Sequence, residues 1–192
     1  QPRARLTVGY TNHSGPGSPG CEPQWRNRGT NYSQLKNACY WNYLRVYMPQ
    51  GARVLSTTPL PLAEQTVSVE IGRGVPGQET SRTSSSHNKT VFSGLTSLEA
   101  GLRSEIDIVY DLPASVVDRR EGNLLYELVI QKQPGVPVRD VEITVIPPKG
   151  YVLSASSMDP RRRDSSPLTF LLALTEDSVL NLEYTRSADD AQ

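Results

Sequence analysis

Two histidines, His13 and His87, are the chain's whole supply of imidazole, the group most often used to move a proton or hold zinc near neutral pH. Each sits in a Gly- or Ser-rich stretch with no acid or cysteine at ligand spacing, so no zinc site is expected. Ser86 and His87 are neighbours, but a Ser/His/Asp triad is a three-dimensional arrangement that adjacent loop residues rarely reach, and no Gly-x-Ser-x-Gly elbow is present. The carboxylates that could serve a glycosidase, Glu105 with Asp107, Glu142 and Glu183, fall on the polar positions of alternating segments, where solvation accounts for them. Asp118-Arg119-Arg120-Glu121 and Asp159-Pro160-Arg161-Arg162-Arg163-Asp164 mix both signs and read as exposed loops, although an arginine run also suits an anionic glycan. Gly72-Arg73-Gly74-Val75-Pro76-Gly77 lacks the lysine and following helix of a phosphate loop, and no calcium-loop ladder occurs. The expectation is a protein without catalysis, metal or cofactor.

Binding chemistry is better represented. Trp25, Tyr32, Tyr40, Trp41, Tyr43 and Tyr47 crowd one region, and Trp and Tyr combine a large apolar face with a polar edge. Trp25, Tyr32, Tyr40 and Trp41 are the candidate binding residues, for sugar rings or a protein partner; the competing reading has Trp25 and Trp41 roofing a core. Cys21 and Cys39, the only cysteines, bracket a polar, Pro- and Gly-rich stretch. A bridge there would staple a loop lacking its own core and contribute on the order of 3 kcal/mol; the alternative is two buried free thiols in a cytosolic protein. Asn12, Asn31 and Asn88 each begin an Asn-x-Ser/Thr triplet, the acceptor pattern for N-glycosylation in an exported chain.

The elements that must position these residues are strands. With 15 Pro and 14 Gly in 192 residues and many Ser and Thr, the chain is punctuated for short strands and turns. Period-two alternation appears at Leu6/Val8/Tyr10, Leu44/Val46/Met48, Val67/Val69/Ile71, Ile106/Ile108/Tyr110, Leu124/Tyr126/Leu128/Ile130, Val141/Ile143/Val145, Leu168/Phe170/Leu172 and Leu180/Leu182/Tyr184. Gly72 to Thr90 reads as a mobile loop, Asp118 to Gly122 as a charged connector, and the tail from Ser187 as frayed. Twenty basic residues balance twenty acidic ones, leaving no global field to draw nucleic acid. No stretch approaches the roughly 20 apolar residues that span a bilayer, so membrane attachment is expected only through an anchor outside this chain.

The chain also echoes itself. Leu44 to Gly51, closing with Val54-Leu55-Ser56, resembles Val141 to Gly150 followed by Val152-Leu153-Ser154. Val91-Phe92 through Tyr110 resembles Thr169-Phe170 through Tyr184. The expected architecture is an antiparallel, immunoglobulin-like β-sandwich in two related tandem modules, residues 1–117 and 118–188, with 189–192 as a polar tail.

Cys39-Tyr40-Trp41-Asn42-Tyr43-Leu44-Arg45-Val46-Tyr47-Met48-Pro49-Gln50-Gly51, together with Leu128-Val129-Ile130-Gln131-Lys132-Gln133-Pro134-Gly135 and the strand ending Tyr110-Asp111-Leu112-Pro113, resembles the C-terminal region of an uncharacterised bacterial family, domain of unknown function 4012. The resemblance spans most of the chain. It implies an exported, membrane-anchored bacterial protein whose anchor lies upstream, and it brings no activity and no catalytic residues.

Together these readings predict an extracellular or cell-surface protein with a binding or structural role. Its partner would be a protein or a cell-surface glycan, and not nucleic acid. One alternative is a carbohydrate-binding module using the aromatic cluster. Another is a homo-oligomer, filament or surface-layer subunit, in which an open edge strand such as Leu6 to Tyr10 pairs with a neighbouring chain.

Overall fold

A computed structural model describes residues 1–15, 39–60, 81–161 and 167–187, and within them the protein is all-β with antiparallel sheets. No helix among the described residues is long and apolar enough to cross a membrane. The chain divides into two compact units, Gln1–Pro113 and Ala114–Gln192.

The first unit contains β1 (Arg3–Thr11), β2 (Tyr40–Pro49), β3 (Arg53–Thr57), β4 (Arg82–Ser86), β5 (Lys89–Leu98) and β6 (Arg103–Asp111). They form two three-stranded sheets, ordered β1-β6-β3 and β2-β5-β4. Alternation sends Met48 and Phe92 from one sheet, and Ile106 and Ile108 from the other, into a shared core. Each is 2% exposed or less, and burying a side chain of this kind contributes roughly 1.5–3 kcal/mol. At one end of the β1-β6-β3 sheet, Asp111 accepts from Arg3 Nε at 3.0 Å and Arg53 Nη2 at 3.2 Å. Register places these three residues in one row across the sheet, and the two guanidinium groups hold the Asp111 carboxyl below its ordinary range.

The second unit opens with a 3₁₀ turn at Ala114–Val116, then β7 (Val117–Arg120), β8 (Asn123–Ile130), β9 (Arg139–Val145), β10 (Tyr151–Ser156), β11 (Leu168–Leu174) and β12 (Ser178–Arg186). Its sheets are β10-β12-β8-β7 and β11-β9. Leu124, Leu180, Leu182 and Tyr184 meet Ile143, Leu168 and Phe170 in a core that shares no residue with the first.

The two units repeat one plan in register. Val46 faces Phe92 as Ile143 faces Phe170. Leu6 faces Ile108 as Tyr126 faces Leu182, and Val8 faces Ile106 as Leu128 faces Leu180. Val54 opposite Tyr110 is followed by a one-residue irregularity before Ser56, and Leu153 opposite Tyr184 by the same irregularity before Ala155. Even the turn recurs. Ala52 N–H bonds Pro49 O across Gly51 at φ 85°, and Tyr151 N–H bonds Pro148 O across Gly150 at φ 76°, the third-position glycine of a type II turn.

Two segments differ from expectation. Residues 82–86, read from sequence within a mobile loop, are strand β4, which pairs with β5 through a two-residue turn. His87 and Asn88 have φ of 52° and 55°, the type I′ geometry that matches strand twist. The Ser-rich sequence hides this strand because most of its side chains are exposed and, among the described residues, only one of its edges is paired. The charged connector at 118–122 is likewise strand β7 and a turn, with Glu121 and Gly122 at φ 50° and 88°. Its charges are those of an edge strand.

Candidate functional site

β2 exposes one of its two faces. Leu44, Val46 and Met48 point to the core, so Trp41, Tyr43, Arg45 and Tyr47 share the outward parity. Tyr43 and Tyr47 are 52% and 51% exposed. The Arg45 guanidinium lies 5.2 Å from the centre of the Tyr47 ring, a cation–π distance. Arg45 faces Ser93 on β5, and Ser93 faces Arg82 on β4, so two arginines flank one serine in a single cross-strand row. The Tyr43 phenol hydrogen-bonds Ser93 and Arg82, and these bonds, with the charges of Arg82 and Arg45, lower its pKa. The face therefore offers stacking surface, phenolic hydroxyls and two cations. It is equipped to hold an anion attached to a flat apolar body.

The structure separates the aromatic residues singled out from sequence. Trp41 joins the outward face and is partly buried. Tyr40 has the opposite parity and meets Tyr10, their ring centres 6.2 Å apart at 36°. Burial raises the Tyr10 phenol above its ordinary value. Trp25 and Tyr32 lie outside the described residues. Arg45, Tyr47, Arg82 and Ser93 were not among the candidates. The Tyr43-x-Arg45-x-Tyr47 spacing carried the signal for two of them, whereas Arg82 and Ser93 depend on strand pairing.

Cys39 is buried, and no cysteine among the described residues is a free thiol; Cys21 lies outside them. Asn12 is 7% exposed, and its Nδ2 donates to Leu98 O at 3.0 Å while its Oδ1 accepts from Ser14 N–H. A glycan on that nitrogen would take one of its two hydrogens, leaving the other for Leu98 O, and would have to fit at a buried side chain. Asn88 stands exposed at the tip of the β4–β5 hairpin, and Asn31 lies outside the described residues.

Ser86 Oγ and His87 Nδ1 do meet, at 2.8 Å, on the exposed hairpin, and no acid among the described residues hydrogen-bonds the imidazole. Among the described residues no group of three His, Cys, Asp or Glu could hold a metal ion. An open groove of about 470 Å³ runs over the outer face of the second unit, lined in part by Asp118, Arg120, Leu125, Glu127, Asn181 and Glu183. Two of its three carboxylates are engaged: Asp118 accepts from Arg120 Nε at 2.7 Å and Glu183 from Asn123 Nδ2 at 2.8 Å. Compared with protein-family models and with curated proteins, the chain matches none of them.

Proposed function

We propose that this is an extracytoplasmic cell-surface or envelope protein built of immunoglobulin-like modules, acting by binding and not by catalysis, and exported with an anchor outside this chain. The observation that carries the binding role is the row Arg45–Ser93–Arg82 set between the half-exposed rings of Tyr43 and Tyr47. An acidic sugar suits that face best: its ring would stack on a tyrosine while its carboxylate pairs with the arginines. Support for the compartment comes from the absence of a free thiol among the described residues, consistent with a Cys21–Cys39 bridge, and from the exposed Asn88 acceptor.

Calorimetric titration with a uronic-acid oligosaccharide, beside its carboxyl-reduced counterpart, tests the reading. Binding of the acidic sugar alone, lost in Tyr47→Ala and in Arg45→Ala/Arg82→Ala, is the expected result. Silence with both sugars would remove the glycan and leave a protein partner for the same face.

A further inference from the structure

Among the described residues β1 is an edge strand, with no neighbour on one side of its backbone. Its pairing with β6 runs from Arg3–Asp111 to Thr11–Arg103 without irregularity. The ladder bonds at its two ends, Leu112 N–H to Pro2 O and Asn12 N–H to Leu102 O, show that even-numbered residues direct their backbone groups toward β6. Arg3, Arg5, Thr7, Gly9 and Thr11 therefore aim their N–H and C=O groups at the other edge, where no strand pairs among the described residues. Such a row is a template for another strand. The second unit already fills the matching position, where β7 pairs with Asn123–Tyr126 of β8.

The side chains of β1 complement a second copy of themselves. In an antiparallel pair centred on Thr7, Arg5 falls opposite the partner's Gly9 and Arg3 opposite the partner's Thr11, while Ala4 meets Tyr10 and Leu6 meets Val8. Large faces small in the outer rows, and no arginine lies directly opposite an arginine; Arg103 shares a row with the partner's Arg3 across Thr11, and Asp111 already pairs that arginine. This register uses every residue of the strand; sliding it to bring Arg5 against Arg5, or Arg3 against Arg5, would oppose like charges and cost stability.

Gly9 gives a second, independent reason. It needs no special backbone conformation, and a β-carbon there would meet nothing within 4 Å, so neither a turn nor packing within the unit accounts for a residue that weakens a strand. Across β6 from Gly9 stands Glu105, exposed and without an ion pair among the described residues. Arg5 is exposed and unpaired in the same sense. In the symmetric pair the partner's Arg5, Gly9 and Glu105 share one row, the two charged residues about 10 Å apart at their Cα atoms. The missing side chain of Gly9 leaves the lane between them clear.

We infer that two copies of this chain pair antiparallel through β1 about a two-fold axis at Thr7, joining their β1-β6-β3 sheets into one six-stranded sheet closed by reciprocal Arg5–Glu105 ion pairs. Such a contact closes at two copies, making a dimer and not a filament. It uses the sheet opposite the tyrosine–arginine face and does not rest on the glycan reading.

Sedimentation equilibrium of the whole chain should show a reversible monomer–dimer system. Glu105→Arg should weaken it at least tenfold, and Arg5→Glu/Glu105→Arg should restore it. Thr7→Cys should form a covalent dimer on mild oxidation, because facing residues of a hydrogen-bonded pair lie about 5.5 Å apart, within disulfide reach. Arg5→Cys alone should not, while Arg5→Cys/Gly9→Cys should. A monomer at every concentration, equal cross-linking of Thr7→Cys and Arg5→Cys, or a dimer indifferent to the charge reversal would overturn the proposal, whatever the sugar titration shows.

Discussion

Leu60 lies over Gly94, its Cδ1 in the space that a β-carbon on that glycine would occupy, with Ser81 on the same side. Leu60 is 2% exposed and belongs to the first unit's core. Gly94 is therefore a packing glycine. Gly94→Val should cost about 1–3 kcal/mol through overpacking and Leu60→Ala about 2–5 kcal/mol through the cavity. Because the added and deleted groups compete for one space, the double variant Gly94→Val/Leu60→Ala should cost less than the sum, which denaturant titration of all three will read.

The two cores share no residue, so damage to each should register in its own unit. Phe92→Ala and Phe170→Ala should each cost about 3–5 kcal/mol. Hydrogen exchange on intact protein should then show lost protection in residues 1–113 for the first and 114–192 for the second. Equal loss throughout in either variant would mean that the units unfold as one.

Tyr184 is 3% exposed and its hydroxyl has no hydrogen-bond partner among the described residues. An unpaired buried hydroxyl is a standing cost, so Tyr184→Phe should stabilise the protein by about 1–2 kcal/mol. Burial, with a contribution from Tyr126, pushes the phenol up to about 12 from 10.0. The unfolded chain thus gives up this proton first, and stability should fall as pH rises from about 10 toward 12. Tyr184→Phe should flatten that part of the profile, as thermal melts across the range will show.

Asp111 predicts the opposite limb. Its carboxyl is held below the usual 3.8 by the bonds from Arg3 and Arg53, so its contribution is complete above the unfolded value and is lost as pH falls through the lower folded one. Asp111→Asn should lower the melting temperature at neutral pH and reduce the acid dependence of the first unit. Both guanidinium groups are mostly exposed, and added salt should weaken the wild-type advantage only in part because the carboxylate between them is buried.

Strands with one apolar and one polar face were legible residue by residue. Leu44/Val46/Met48 and Leu180/Leu182/Tyr184 announce both the element and the side that turns inward, and the echo of Phe92 in Phe170 is confirmed by a shared register. β4 and β7 were not legible, because an edge strand facing solvent needs no apolar alternation; only the turns His87-Asn88 and Glu121-Gly122 betray them. The tyrosine–arginine face was half legible for a related reason. Tyr43, Arg45 and Tyr47 are two apart on one strand, whereas Arg82 and Ser93 join them by cross-strand pairing that no local pattern encodes. Asn12 begins a glycosylation triplet, and its burial against the backbone at Leu98 depends on the packing of β1 beside β5's end and not on the triplet.

The irregularity after Val54 and its counterpart after Leu153 fall on β3 and β10, each the outermost strand of its sheet among the described residues. The extra residue is Leu55 in one unit and Ser154 in the other, one place later than the sequence echo of Val54-Leu55-Ser56 in Val152-Leu153-Ser154 would set it. An extra residue in an edge strand deepens the twist and interrupts the flat row of backbone groups on which another chain could add a strand. Both units thus carry the same guard at the same border, while β1, at the opposite border of its sheet, runs without one.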